Sequence, residues 1–565
     1  MQYILKTLTR LSWLFVPGFC FSQSTMLPRE SKHAQFMERL QILMQDNNEL
    51  NLHTLRPFSR QTAVNVAMLA DSLHTQFPYD HYHNLSKVDQ YNLQSLLLNN
   101  REWYTGDQSK FNSKKPLWNT FYKTRGDFFS VNEKDFFFAV NPVVQQQQSI
   151  ETADGGRVFL NAKGLTARGL IARRIGFDAY ITDNQERGPE FFRQRVGFYD
   201  AVPGVGFYKP FKRTGVDYID ARGSIHFNAA KYFRFQFGYD KNFIGSGYRS
   251  LMLSDFGNSY LFLKINTTIW KFQYHNLFME LVPQTINISA GNKLLDKKYM
   301  AVHHLSMNVT RWLNIGLFEA VVFGRKNKFE LSYLNPVIFL RASEQQNGSA
   351  DNAIIGLDFK ANAGHQGQFY GQMVLDEFVL KEIRSGKGWW ANKYGLQFGV
   401  KYIDALDIKN LDVQTEVNMV RPFTYSHYDS VANYSHYNQP LAHPLGSNFV
   451  EAIAVVRYQP KPKWSGQARI IFWKQGIDTL NGNGGNNIFR NSSTRSSDYG
   501  HKLAAAPAAK GLNVSGLVSY EWKENLFIEG SLLFRTWRPD GFSADNTLML
   551  TLGVRMNMFR REYDY

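Results

Sequence analysis

The chain has 565 residues, 44% hydrophobic and 15% aromatic, with a mean hydropathy of −0.36 and a formal net charge of +16. After the N-terminus no stretch approaches the roughly 18 consecutive apolar residues of a membrane helix, which excludes a helical membrane protein. The basic residues are dispersed, as suits a basic lumen or loops near anionic headgroups and acidic glycans, and they give no stripe for nucleic acid.

Lys6 and Arg10 form a positive n-region, Leu11 to Phe21 an apolar core, and Cys20-Phe21-Ser22 a small-residue cleavage site before Gln23. Residues 1–22 therefore read as a signal peptide and predict export. Cys20 is the only cysteine, so the mature chain is expected to hold no disulfide and no thiolate.

Residues 23–130 read as a periplasmic helical domain and lead-in. Ala34, Phe36, Met37, Leu40, Ile42 and Leu43 recur at helical spacing, as do Val64, Val66, Ala67, Leu69 and Leu73. A third set is Val88, Tyr91, Leu93 and Leu96 to Leu98, and Ser59 is placed to cap the second helix. Breaks fall at Arg56-Pro57 and Phe77-Pro78. Two roles stay open for this part, a plug or brace for the larger C-terminal part of the chain and a docking site for a partner.

Residues 131–565 alternate with a period of two, which predicts strands. The pattern is plainest in Val216 to Phe243. Ile219, Ala221, Gly223, Ile225 and Phe227 share one face, and Asp220, Arg222, Ser224, His226 and Asn228 the other. After a corner at Ala229-Ala230, Phe233, Phe235, Phe237 and Tyr239 alternate with Arg234, Gln236, Gly238 and Asp240. Each arm has roughly the 9–11 residues of a tilted membrane strand, with one face for lipid and one for a wet lumen.

The pattern predicts about eighteen such strands, joined by alternating tight and long connections, as in an outer-membrane barrel with short periplasmic turns. An even count returns the last strand, Leu548 to Met558, to the periplasmic side. Treating Val337 to Leu340 as a strand would invert half the loops, so Leu334 to Ala342 is expected to be a loop folded into the lumen. The fold class is thus an all-β transmembrane barrel of about 18 antiparallel strands with a small N-terminal α-helical periplasmic domain.

Catalytic and metal signatures are missing from the sequence: it has no His-Glu-x-x-His run and no phosphate loop. Asn481 to Asn487 is Gly-rich but lies between strands, and adjacent His303 and His304 must face opposite ways. No enzyme, cofactor or metal is expected. Two outer loops carry aromatic groups beside polar ones. Residues 425–438 repeat Tyr-Ser-His-Tyr, presenting Tyr425, Tyr428, Tyr434 and Tyr437, and Trp389-Trp390 lies near Arg384 and Lys387. Exposed rings offer stacking platforms for sugars, while an aromatic girdle at the membrane interface is the other reading.

Gly238 to Ser254 (GYDKNFIGSGYRSLMLS) resembles a strand, outer turn and Ser-Leu-x-Leu-Ser run of the capsule-assembly family typified by Wzi. Glu344 to Glu377 is similar to that family's Asn-x-x-x-Gly-x-Asp strand followed by Tyr-Gly-Gln and an acidic pair, and Leu441 to Gly446 to a His-containing loop. Asn242-Phe243-Ile244 stands where enterobacterial members have tryptophans, which is closer to the Bacteroidetes, RemB-like branch. The resemblance implies an eighteen-stranded outer-membrane barrel that anchors exported polysaccharide. It marks Gly245, Gly247, Arg249, Ser250, Ser254, Glu344, Asn352, Asp358, Gln372 and Glu377 as motif positions, with His443 added to the tyrosines and tryptophans as glycan-binding candidates. Expected partners are capsular or other surface polysaccharide, outer-membrane lipid, and export or gliding machinery, with the protein a monomer. A gliding or adhesion component and a porin-like channel remain the alternatives.

Overall fold

The computed structural model describes residues 25–45, 55–77, 85–153, 156–285, 294–337, 339–479 and 482–565. The expected leader, Pro78 and Asn481 lie outside these residues.

Eighteen antiparallel strands close into a barrel. In chain order they are β1 Phe136–Glu151, β2 Arg157–Ile171, β3 Ile175–Arg187, β4 Gly215–Asn228, β5 Phe233–Asp240 and β6 Tyr260–Ile269. Next come β7 Phe272–Leu281, β8 Lys298–Asn308, β9 Leu313–Phe323, β10 Asn352–Ala363, β11 Gly367–Glu377 and β12 Lys393–Tyr402. The last six are β13 Leu411–Val420, β14 Phe449–Lys461, β15 Trp464–Gly476, β16 Ala508–Lys523, β17 Leu526–Pro539 and β18 Asp545–Met556. The ring closes where β18 pairs with β1, from Met549 opposite Glu151 to Met556 opposite Val144. Each strand anticipated from the sequence is present. The pattern predicts a first strand over 134–144 and a corner at Thr267-Thr268; β1 instead runs on to Glu151, and the corner after β6 falls at Trp270-Lys271. Short pieces, Phe129–Asn132 and Lys209–Phe211, add to β1 and β4.

The period-two faces are realised as side-chain direction. On β4 and β5, Ile219, Ile225, Phe233 and Phe237 point outward and exposed, while His226 and Gln236 are buried inside. Opposite rings on the outer face pack in register, with Phe227 and Phe235 stacked at 5.1 Å. Such cross-strand pairs add to the backbone ladder and specify its register.

Three N-terminal helices, α1 Lys32–Leu43, α2 Arg60–Gln76 and α3 Lys87–Asn99, sit at the short-turn end. Ser59 caps α2 by accepting from Thr62 N, and Ser86 forms a reciprocal capping box with Asp89 at α3. Their apolar faces share a core with Phe137, Ala139 and Leu170 of the inner wall. A fourth helix, α4 Glu190–Tyr199, lies in the first long connection at the opposite end. Leu334 to Ala342, expected in the lumen, does not enter it. A short helix there, α5 Leu340–Gln346, packs with Tyr333 against outward-facing Phe278, Ala301 and Val321, on the exterior of the wall. The lumen face of the same strands is already covered, with Leu277, Met279, Met300, Val302 and Phe318 packed against Leu251 to Leu253 and the Tyr425 and Tyr434 rings.

Candidate functional site

Three segments fill the lumen, and each is held by charge as well as packing. The first is N-terminal. Leu55–Arg56 pairs in antiparallel fashion with Phe243–Ile244, and Arg29 forks onto Asp255 with contacts of 2.9 and 2.7 Å. Lys32 binds Glu521 at 2.5 Å and Glu524 at 2.6 Å. Arg39 joins Asp89, Asp404 and Asp412 at 2.8, 2.6 and 2.7 Å. Glu38 bridges Arg56 and Lys401. Burial alone would push the Asp255 carboxyl up, but the Arg29 guanidinium holds it below its ordinary value.

The second segment is the outer loop Gly245 to Ser254, which turns inward. Gly245 has φ +124°, and a Cβ there would stand 2.4 Å from Gln372 Nε2. Gln372 uses that amide nitrogen to donate to Ile244 O at 2.9 Å, while its oxygen accepts from Leu251 N at 2.8 Å. Ser250 Oγ donates to Ile244 O at 2.6 Å, and Ser254 Oγ donates to Ala442 O. Glu416 of β13 accepts from the backbone N–H groups of Tyr248 and Arg249 at 2.6 and 3.0 Å.

The third segment is the C-terminal Phe559 to Tyr565, which leaves β18 and runs back inside. Asp564 accepts from Tyr248 Oη at 2.5 Å and Arg249 Nη1 at 3.0 Å. Tyr563 Oη donates to Glu186 at 2.6 Å, and Arg469 pairs with Glu562 at 2.9 Å. Burial raises the Asp564 carboxyl, yet Arg249 and Arg469 pull it down to about 2. Between the three segments lies a cavity of about 310 Å³, with Arg222, Lys241, Arg457 and Arg469 on the wall side and Arg560 and Arg561 from the tail. Burial and the nearby Arg222 charge bring the Lys241 ammonium down to about 8.

At the long-loop end, Trp389 and Trp390 meet at 6.3 Å. Trp390 packs edge-on to Phe423 at 6.0 Å, Phe423 meets His501 at 5.0 Å, and the Arg495 guanidinium lies 3.9 Å from the Trp390 ring centre. Trp390 N donates to Asp498 O at 2.9 Å, and Arg421 reaches the carbonyls of Trp389 and His501. Three connections thus form one half-buried aromatic and basic shelf, in which planar guanidinium and indole groups reinforce one another.

The tyrosine loop requires a correction. Tyr425, Tyr434 and Tyr437 are buried, not exposed. Tyr425 and Tyr434 stack at 5.5 Å, and their hydroxyls donate to Leu251 O and Met252 O at 2.6 and 2.7 Å. Burial raises both phenols well above their ordinary value. These rings bring an apolar body and a hydrogen-bonding tip to the inward-turned loop, which is why they fill the lumen. Tyr428 alone of the four is exposed, its ring beside His427. His443 is also buried, bonded to Glu451 at 2.7 Å and stacked on Phe449 at 4.3 Å.

Of the motif positions, Gly245, Gly247, Arg249, Ser250, Ser254 and Gln372 gather at the inward-turned loop, and His443 joins them through Glu451, Asn418 and Glu416. Asp358 holds His304 at 2.6 Å on the lumen side, and Asn352 donates to Ala432 O. Glu344 stands apart on the exterior helix, paired with Arg341, and Glu377 pairs with Lys393 near the rim. Arg341, expected in the lumen with the rest of Leu334 to Ala342, is therefore outside it, and Glu344 with it. Glu416, Glu451 and Asp564 were not singled out from the sequence. The alternation of Gln414, Glu416 and Asn418 with Val413, Thr415 and Val417 is the sequence signal that points such groups inward. Ser224, His226 and Asp178 also cluster, but Ser224 Oγ and Asp178 both meet Nε2 of His226, at 2.8 and 2.7 Å. A relay needs the two partners on different ring nitrogens, so this cluster lacks that geometry.

No family model matches the chain, and no curated relative matches its sequence. Among solved structures it is similar to Wzi of Escherichia coli, described as an outer-membrane protein involved in group 1 capsule assembly and a carbohydrate-binding β-barrel. That likeness has a TM-score of 0.54 and 12% identity, over 96% of this chain and 100% of the other. OprD of Pseudomonas aeruginosa aligns at a TM-score of 0.41 and 11% identity, over 76% and 96% of the two chains. OccAB4 of Acinetobacter baumannii aligns at 0.42 and 8%, over 75% and 98%. The fold is that of an outer-membrane β-barrel.

Proposed function

We propose that this protein sits in the outer membrane and anchors exported capsular or other surface polysaccharide to the cell by noncovalent capture on its outer loops. The observation that carries the reading is a lumen filled from both ends of the chain beneath an outer shelf of indole and guanidinium groups. A filled lumen suits holding a ligand outside better than conducting one. Indole faces stack on the C–H side of a pyranose ring, and Arg421 and Arg495 beside them suit an acidic sugar. The likeness to a carbohydrate-binding barrel supports the same reading. Capture needs no bond to form or break, and the Ser224-His226-Asp178 geometry gives no reason to invoke a reaction. With the short turns in the periplasm, the three N-terminal helices stand below the membrane and brace the plug.

The test is the partition of polysaccharide in cells lacking the protein. Glycan that is still made but shed into the medium supports the anchor; an unchanged ratio of attached to shed glycan overturns it.

A further inference from the structure

The exterior of the barrel carries a polar row where lipid is expected. Asn276 of β7, His303 of β8 and Glu319 of β9 are opposite one another in register, and all three point outward. Glu319 lies four residues below the outer end of β9 at Phe323, which is about 13 Å along a strand. Strands of 10 and 11 residues are only just long enough to cross a bilayer, so this row stands near mid-membrane. An outward carboxylate and imidazole at that depth are costly unless covered.

The connection between β9 and β10 covers them. It descends over the outer wall and meets the row directly. Leu340 N donates to Glu319 Oε2 at 2.9 Å, while Glu319 Oε1 lies 2.8 Å from His303 Nδ1. Tyr274 Oη, from the outer face of β7, donates to Pro336 O at 2.7 Å. Near the rim the segment is tied by Arg325 and Tyr333 to Asp351. Phe329, Tyr333 and Leu340 pack on Phe278, Ala301 and Val321. Turned away from the barrel before α5 stand three large apolar side chains: Leu331 is 72% exposed, Val337 85% and Phe339 75%.

We propose that this outer connection lies in the membrane rather than in water, as a clamp whose Leu331, Val337 and Phe339 face contacts the acyl chains of the outer leaflet. From Leu331 to Phe339 the large exposed side chains are apolar and continue the band of Leu317 and Ile355, while Arg341, Gln345 and Gln346 are exposed on α5 where the connection turns back to β10. Backbone groups at that depth must be satisfied within the protein. Here Pro336 has no N–H to satisfy, its carbonyl is taken by Tyr274, and Leu340 N is taken by Glu319. The basic Arg325, Lys326 and Lys328 gather where the segment leaves the rim, at headgroup level.

The proposal rests on the barrel spanning a membrane, and the experiment separates the two. Val337→Cys in a Cys20→Ser full chain is labelled with an environment-sensitive fluorophore and folded into phosphatidylcholine liposomes. Quenching by nitroxides on the acyl chains is compared with quenching by aqueous iodide, and Leu552→Cys on the outer face of β18 serves as reference. Several-fold stronger quenching by the acyl nitroxide at both positions is expected. Iodide quenching at Val337→Cys alone overturns the clamp, as does a disulfide between two Val337→Cys chains, which would make the face a contact between copies. Failure of lipid quenching at both positions overturns the membrane barrel and the clamp with it.

Discussion

Arg39→Ala removes the guanidinium that ties α1 to both α3 and the β12–β13 turn. Its side chain is 6% exposed, and those of Asp89 and Asp404 are 3% and 5%. Removing one partner of a buried ion pair typically costs about 3–5 kcal/mol, because the remaining charge is left without compensation. Asp89 keeps its capping bond to Ser86 N and a contact from Asn410 Nδ2 at 3.1 Å, which argues for the lower half of that range. Opening of the helical module should then rise by roughly two to three orders of magnitude. Limited proteolysis of α2 and α3 in the folded barrel reads this directly. Adding Asp404→Asn to Arg39→Ala should recover part of the loss. Wild-type protease resistance of α2 and α3 in Arg39→Ala would refute the assignment of the ion-pair cluster as the latch.

Gly245→Ala should lower thermal stability by about 1–3 kcal/mol of backbone strain, with the contact to Gln372 adding to it; an unchanged melting temperature would contradict the tight inward turn. For Asp404 and Glu524, burial pushes the carboxyls up but Arg39 and Lys32 respectively hold them below their ordinary values. A lowered folded pKa gives stabilisation that is complete above the unfolded value of about 4 and lost as pH falls through the folded value. The helical module should therefore loosen in acid below about pH 4, as read by proteolysis of α2 and α3; loosening between neutral and alkaline pH instead would be the wrong sign. Trp390→Ala and Arg495→Ala should each weaken retention of an acidic polysaccharide on intact cells while leaving barrel assembly intact, as measured by heat-modifiable gel mobility. Retention equal to wild type in both would remove the shelf as the capture surface.

The strands were legible because a membrane wall imposes a strict period of two, and β4–β5 shows it residue by residue. The helices were legible for the corresponding reason at period 3.6, down to the Ser59 cap. Periodicity says which face a side chain takes within an element; it does not say where a connection folds. Tyr425 and Tyr434 look like an exposed platform in sequence, yet a phenol that can donate to a neighbouring carbonyl is equally suited to a filled lumen. The segment around Pro336 failed for another reason. Strand parity rules out a nineteenth strand there but does not say on which side of the wall the connection folds, and the surroundings outside this wall are themselves apolar. The C-terminal tail's role depends on Glu186, Arg249 and Arg469, which lie far away in sequence and leave no local signature.

The seam between β1 and β18 has a kinetic meaning. Thr551 faces Ser149 across it, so the ladder cannot be completed until nearly the whole chain has been laid down. Contacts of such sequence separation make folding slow, and until the seam forms both flanking strands present open edges that invite pairing with other chains. The tail beyond β18 and the N-terminal strand Leu55–Arg56 both end up inside the hoop. They must enter while it is still open, or thread it afterwards. Closure of the ring and filling of its lumen are thus coupled through one seam, whose partners are the first and last strands of the barrel.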